Sequence, residues 1–358
     1  MKSKTLQTIP KVVASHTVNL SKLMEINEYQ RAPRLADGTF SNYAHWDFKM
    51  KTFSDIWQWQ SSRVDNSKIP RESAVLDEVL PVRKPDFESL LEPGKAKLTW
   101  LGHSTTLLQV AGGFNVLTDP IFSDRCSPVS FAGPKRYRPS PIKSIQELPE
   151  INAVCISHNH YDHMDYQSIQ DIAQAFPNAV FYMPLGNSTY LPSIISPDRI
   201  VELDWWQDAK LGDFEISLLP AQHWSKRGLF DSNKALWGSF LVKGKGGSYW
   251  FAGDTGYCSV FKAIGLRYGG FSCASIPIGA FEPRDFMKQQ HINGAEAVTI
   301  HREVLSRHSL GIHWGTFQLT DEYYLEPRDL KELEKNDDPF SVINHGDSIL
   351  VDWDLGKR

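Results

Sequence analysis

The chain has 358 residues, 41% of them hydrophobic and 22% charged, with a formal net charge of −4. That balance provides for a sizeable folded core and excludes disorder over the whole chain. It lends no support to sequence-independent nucleic-acid binding, which needs an excess of Lys and Arg on one face.

The opening residues, MKSKTLQTIPKVVASHTVNL, lack the apolar stretch of about 7–15 residues that a secretory signal needs. Nowhere does an apolar run approach the roughly 18–20 residues of a membrane helix. Residues 1–95 read as polar and irregular, with one aromatic-rich stretch, YAHWDFKMKTFSDIWQWQ. In it Trp46, Phe48 and Met50 alternate, and Phe53, Ile56, Trp57 and Gln60 then follow helical spacing. LPVRKPDFESLLEPGK suits a connector. So few periodic apolar segments predict that residues 1–95 wrap the domain formed by residues 96–358 instead of owning a core. Its tryptophans read either as packing against that domain or as a membrane or dimer surface.

From Lys97 onward KLTWLG, TTLLQV, NVLTD and NAVCIS read as short strands. Asp165 to Phe176 carries Ile169, Ile172, Ala173 and Phe176 at helical spacing, and Pro177 stops it. AVFYM, RIVEL, FEISLLP, LWGSFLV, SYWFAG and CASIPI follow as strands. Asn293 and Glu296 form an N-cap pair for a helix over AEAVTIHREVL. SLGIHW and SVINHGDSILVD close the chain as strands. Many strands with few helices predict an α+β fold, sheet on sheet with helices outside. Cys126, Cys155, Cys258 and Cys273 have no CxxC spacing and read as buried thiols of a reducing compartment.

The chemistry concentrates in VCISHNHYDHMD, where His158, His160, Asp162 and His163 lie between an apolar strand and an amphipathic helix. Imidazole nitrogens with a hard carboxylate oxygen suit zinc. One segment cannot surround a metal pair, and three other strand ends offer ligands: His223 after FEISLLPAQ, Asp254 after SYWFAG and His313 after SLGI. Strands ending at one rim would bring all seven residues together. No GxSxG nucleophile motif is present.

SHNHYDH resembles the HxHxDH signature of the metallo-β-lactamase superfamily. The resemblance then narrows. GHSTTLL, LTDPIFSDRCSP, GPKRYRPSPI, AGDTGYC, IPIGAFEPR and IHWGTF are similar to the family of phospholipases D that hydrolyse N-acylphosphatidylethanolamine. The likeness runs from Leu98 to His345 and more weakly into the Trp57 region. It implies an αββα sandwich with two Zn2+ at one edge. His158, His160 and His223 would hold one ion, Asp162, His163 and His313 the other, and Asp254 would bridge them. It further implies in-line attack on a phosphodiester by a zinc-activated hydroxide that Asp162 orients, releasing N-acylethanolamine and phosphatidic acid. A homodimer, peripheral on the cytosolic face of membranes, also follows from the resemblance.

His291 matches an active-site histidine of that family and would protonate the leaving group; without the resemblance it reads equally as a surface His. Asp119 reads either as a carboxylate holding a ligand imidazole from behind or as a turn former before Pro120. His103 lies near the same rim but matches no ligand position. Lys135, Arg136 and Arg138 beside Tyr137 could meet lipid phosphates or form a solvated loop. Gln290, the loop from Phe281 to Phe286, Ser130 and Phe131 are candidate substrate contacts. Three other readings compete with the phospholipase: a hydrolase of the same fold acting on another ester, lactone or phosphodiester, a non-catalytic binder and a nuclease. The intact ligand set disfavours the binder, and the acidic charge disfavours the nuclease.

Overall fold

The structure, a computed structural model, describes residues 31–329 and 339–354. Among the described residues two helices precede the strands: α1 (Phe53–Ser62) and α2 (Ser73–Val79). The first sheet contains β1 (Lys95–Gly102), β2 (Thr105–Val110), β3 (Phe114–Thr118), β4 (Ala153–Cys155), β5 (Val180–Pro184) and β6 (Ile200–Leu203). The last strand of the chain, β14 (Ser348–Asp352), joins its edge, giving the order β14-β1-β2-β3-β4-β5-β6. The second sheet runs β13-β12-β11-β10-β9-β8-β7. Its strands are β7 (Asp208–Leu211), β8 (Phe214–Leu219), β9 (Ser239–Lys243), β10 (Ser248–Phe251), β11 (Cys273–Pro277), β12 (Ser309–Ile312) and β13 (Phe340–Ser341).

Alternation along each strand explains the layers. On β2 and β3, Leu108 and Val116 pair and enter the core between the sheets, while Leu107 and Leu117 pair and face the other way. There Leu107, Leu117, Val154 and Phe181 meet Ile169 and Ile172 of α3 (Tyr166–Ala175). Both faces of the sheet are therefore covered, which is why its strands read as nearly continuous apolar runs. Behind the second sheet lie α4 (Val260–Tyr268) and α6 (Gly294–Glu303), which contribute Phe261, Ile264, Val298 and Ile300 to the core. Between them in sequence is the short α5 (Arg284–Met287). This is the αββα sandwich that the resemblance implies. A buried polar chain ties the sheets: Thr118, Thr106, Tyr249 and Ser275 hydroxyls meet in sequence at 2.8 Å each.

Asn293 and Glu296 form the expected capping box of α6. SVINHGDSILVD is not one strand: it breaks at Gly346 (φ +85°), and its two ends belong to different sheets. The sequence reading missed α2, α4, α5 and β7. For α4 a usable signal existed, since Val260, Phe261 and Ile264 recur helically before the Gly269–Gly270 stop, with Gly269 in the left-handed region at φ +72°.

The aromatic stretch near the N-terminus splits. Trp46 is buried against Tyr43 and Trp205. α1 buries no residue, leaving Phe53 84% and Trp57 64% exposed. Its Trp59 stacks on Phe286 at 5.0 Å and donates from Nε1 to Asp321. The first 30 residues lie outside the described residues.

Candidate metal centre

Every expected ligand lies just past the carboxyl end of a strand. β4 leads into His158, His160, Asp162 and His163, β8 into His223, β10 into Asp254 and β12 into His313. Local backbone geometry turns these side chains inward. Gly253 precedes Asp254 at φ +60°, and a Cβ there would meet Ser157 Cβ at 2.7 Å and the Gly238 carbonyl at 2.9 Å, so only glycine fits. His313 itself holds φ +62°, an uncommon conformation for a side-chain-bearing residue. Its amide donates to the His103 carbonyl at 2.8 Å.

The side chains form two nests around one carboxylate. His160 Nδ1 lies 2.8 Å from His158 Nε2 and 3.3 Å from His223 Nε2. Asp162 Oδ2 lies 3.2 Å from His163 Nε2 and 3.5 Å from His313 Nε2. Asp254 Oδ2 stands between the nests, 3.0 Å from His163 Nε2, 3.1 Å from His313 Nε2, 3.9 Å from His223 Nε2 and 4.0 Å from His158 Nε2.

This arrangement suits metal ions better than hydrogen bonds among the side chains themselves. His160 Nε2, His163 Nε2, His313 Nε2 and Asp254 Oδ1 are buried with no hydrogen-bond partner. Buried polar atoms are rarely left unpartnered, and here they gather where imidazole and carboxylate donors can coordinate. The charge state follows the same logic. Burial, then neighbouring imidazoles, holds His158 well below the usual histidine range, and burial likewise lowers His160 to about 4. Burial also opposes protonation of His163 and His313, but Asp254 and Asp162 outweigh it. They raise His163 well above the usual range and His313 to about 9. Burial pushes both carboxylates up, yet the histidines bring them well below the usual carboxylate range.

Residues 114–314 match the beta-lactamase superfamily domain. N-acyl-phosphatidylethanolamine-hydrolyzing phospholipase D 1 of Caenorhabditis elegans is 40% identical over 321 residues, 85% of this chain and 88% of the relative. The chain belongs to the N-acyl-phosphatidylethanolamine-hydrolysing phospholipase D family. A mitochondrial phospholipase D of that name from Saccharomyces cerevisiae is 37% identical over 277 residues, 75% of this chain and 58% of the relative. Among solved structures, an isothiocyanate hydrolase from Delia radicum gut bacteria superposes with a TM-score of 0.56 at 16% identity, covering 71% of this chain and 98% of that one. A metallo hydrolase of Ignicoccus hospitalis gives 0.53 at 18% identity, covering 72% and 98%. Both share the fold. This phospholipase D family member is thus a metal-binding hydrolase.

Around the ligands, this family member carries a dense set of supporting hydrogen bonds. Asp119, fully buried, accepts from His163 Nδ1 at 2.6 Å, from the Ser157 amide at 2.7 Å and from the Ser157 hydroxyl at 2.6 Å. Ser157 Oγ also meets His158 Nδ1 at 2.9 Å. His223 Nδ1 donates to the Gln290 carbonyl at 3.0 Å, and the His223 carbonyl accepts from Asn42 Nδ2 at 2.7 Å. Arg227 donates to the carbonyls of Asn159 and Met164, stapling the ligand loop from both sides. Sequence reasoning did not find Ser157, Asn42 or Arg227. It weighed Gln290 for its side chain, whereas the ligand contact is made by the backbone carbonyl. Gln290 also lines the cavity above the ligands, with its Nε2 donating to Met287 Sδ.

That cavity has a volume of about 430 Å³. His160, Asp162, Asp254 and His291 form its floor, and Phe48, Met50, Ile56, Trp59 and Phe286 contribute apolar walls. His291 Nδ1 lies 3.8 Å from Asp254 Oδ2, and burial lowers its pKa to about 4. Ser130 and Phe131 are exposed at a loop tip, Phe131 by 82%, and neither lines the cavity.

Both readings of the basic loop need correcting for two of its residues. Arg136 is buried and donates to the carbonyls of Ser123 and Ile121 with its guanidinium over Phe317. Arg138 is buried against Asp77. Lys135 stays exposed. A three-residue charge run looks alike from sequence whether it is solvated or stapling a loop, because the carbonyls that accept from it are distant in the chain.

Proposed function

We propose that this protein hydrolyses N-acylphosphatidylethanolamine to N-acylethanolamine and phosphatidic acid with two bound zinc ions. The observation that carries this reading is the clustering of seven His and Asp donors beneath an apolar-walled cavity, with His160, Asp162 and Asp254 reaching its floor. The activity named for the relatives in Caenorhabditis elegans and Saccharomyces cerevisiae supports the substrate. His158, His160 and His223 would hold one ion, Asp162, His163 and His313 the second, with Asp254 shared. When bound, such a pair supplies an activated water and neutralises charge at phosphorus.

The remaining work falls to this chain. Asp162 orients the attacking water along the line of the leaving oxygen. The new bond joins the water oxygen to phosphorus, and the bond from phosphorus to the ethanolamine oxygen breaks. His291, neutral at the cavity floor, would accept the proton that the attacking water releases and pass it to that oxygen. Asp119 holds His163 in the tautomer that keeps Nε2 available. The apolar walls receive an acyl chain and exclude bulk water, and Gln290 meets the substrate within the cavity. Ser130 and Phe131 would meet lipid only outside it.

In this reading residues 96–358 form the catalytic domain and residues 1–95 are the preceding segment, whose described part packs on that domain, as the burial of Phe40, Tyr43, Trp46, Leu76 and Leu80 supports. The enzyme works as a homodimer, peripheral on the cytosolic face of a membrane. No helix among the described residues is long and apolar enough to cross one. Four buried, free cysteines suit a reducing compartment.

The test is zinc content and product release on one purified sample. About two zinc ions per chain, with N-acylethanolamine released from mixed micelles, stopped by chelation and restored by zinc, is the expected result. Two zinc ions with turnover of a soluble ester, lactone or phosphodiester, and none of the lipid, would assign the site to another hydrolase.

A further inference from the structure

Three sequence-distant segments line the catalytic cavity with their inner residues and end in bare apolar side chains. The first is a hairpin between Cys126 and Pro134, both cavity-lining, closed by the Cys126 amide donating to the Pro134 carbonyl. Its tip presents Phe131, 82% exposed. The second runs from Trp224 to Ser232, again both cavity-lining, and is braced by Asp231 accepting from the amides of Arg227 and Gly228. Its tip presents Leu229 and Phe230, 82% and 87% exposed. The third is α1, whose Ile56 and Trp59 line the cavity while Phe53 and Trp57, one turn apart, face outward.

Monomeric soluble proteins seldom group large exposed apolar residues without a partner. Lys135, Lys226 and Lys234 lie on or beside the two hairpins. Aromatic and aliphatic tips flanked by cations match an anionic bilayer surface, where rings settle among headgroups and lysines meet phosphates. We propose that these three segments are the membrane-docking surface of the protein, seating the cavity mouth on the bilayer. A lipid could then enter without its acyl chains crossing water. This deepens the lipid-hydrolase reading and rests on it.

The test uses the full chain loaded with zinc and sedimented with phosphatidylcholine vesicles, with and without phosphatidylserine. Wild type should bind, more tightly as phosphatidylserine increases. The double variant Leu229→Ser/Phe230→Ser and the variant Trp57→Ser should each bind about tenfold or more weakly. Both should turn over a dispersed short-chain N-acylphosphatidylethanolamine at the wild-type rate. Variants that bind vesicles like wild type overturn the surface, even if the lipid is hydrolysed. So does a wild-type dimer that the variants split into monomers with vesicle binding intact, which would make the face a contact between copies. Wild type that docks as described yet hydrolyses no N-acylphosphatidylethanolamine sinks the substrate and leaves the docking surface standing.

A second, independent observation concerns His103. It is buried in the turn between β1 and β2, with Nε2 2.9 Å from Asp162 Oδ2 and its ring 4.1 Å from that of His313. Its carbonyl accepts from the His313 amide and Trp100 Nε1, and its amide donates to Thr316 at 2.7 Å, so its backbone is held from three sides. We infer that His103 is a positioning residue: it donates to Oδ2 of Asp162, the oxygen that faces His163 and His313, and so fixes that carboxylate within the nest. This inference rests on Asp162 being a ligand. His103→Leu should fill the space without donating, and His103→Gln should place an N–H near the lost Nε2. The expected readout is zinc affinity by competition with a chelator dye: about 10- to 100-fold weaker in the Leu variant and largely restored in the Gln variant. Equal affinity in wild type and the Leu variant overturns the role. So does a folded Gln variant, checked by its melting midpoint, that is as weak as the Leu variant.

Discussion

The floor and the mouth of the cavity above the His and Asp cluster are built in opposite ways. At and beneath the floor, Asp119, His158, His163, His223, Asp254 and His313 are each at most 3% exposed, and most are held by a named hydrogen bond from behind. At the mouth, Phe53, Phe131, Leu229 and Phe230 are more than four-fifths exposed. The floor must hold donors within tenths of an ångström, so rigid strand ends and buried partners supply it. The mouth has no such demand and sits on a helix and loops, where apolar side chains can await a partner. Substitutions at the floor should therefore change metal binding and rate, and substitutions at the mouth should change where the protein goes.

The largest expected effect lies at the shared carboxylate. Asp254→Ala should lower turnover by at least about a thousandfold and reduce zinc per chain below two. Elemental analysis beside a product assay checks both, and a fully active variant would break the division between floor and mouth. Next is Asp119→Ala, one layer behind. It releases His163 and Ser157 together, so zinc affinity should fall by about 10- to 100-fold while the fold persists. A chelator competition titration reads this directly.

pH supplies a third comparison within the floor. In the metal-free protein His313 titrates at about 9 and His163 well above the usual histidine range, because Asp254 and Asp162 favour their protonated forms against the opposing effect of burial. A zinc ion needs neutral imidazoles and must displace these protons. Affinity should therefore rise with pH, by about tenfold per pH unit for each displaced proton, up to near pH 9, and fall as pH drops. An affinity independent of pH between 7 and 9 would contradict the charge state described for the nest.

The smallest effect is one of stability alone. Arg136→Ala removes the donors that serve the Ser123 and Ile121 carbonyls. That should cost about 1–3 kcal/mol and lower the melting midpoint by several degrees. Lys135→Ala, on an exposed neighbour, should leave the midpoint unchanged. A reversed order, measured by thermal unfolding, would return the loop to the solvated reading.

Legibility tracked the distance over which each feature is determined. The His158 to His163 cluster was readable because four ligand-type side chains within six residues seldom serve any purpose but coordination. The strands were readable because both faces of each sheet are covered, so their runs are apolar and short. Ser157 sits beside the cluster yet went unread, since a serine there has many ordinary uses. Asn42 and the Gln290 carbonyl reach His223 from 181 and 67 residues away, and no local pattern announces them. Trp46 and Trp57 stand eleven positions apart in one aromatic stretch, yet one is buried and the other bare.

By itself the sequence determined the run of strands and helices and the donor chemistry of the His158 to His163 cluster, because periodicity and donor chemistry are local properties, and its motifs carried the likeness that implied the sandwich and the remaining ligands. Only the tertiary structure decided which groups hold His163 and His223 from behind, that Arg136 and Arg138 are buried staples, and that three distant segments share one cavity mouth. Each of those depends on what lies opposite a side chain once the sheets have stacked, and no stretch of chain contains its own opposite wall.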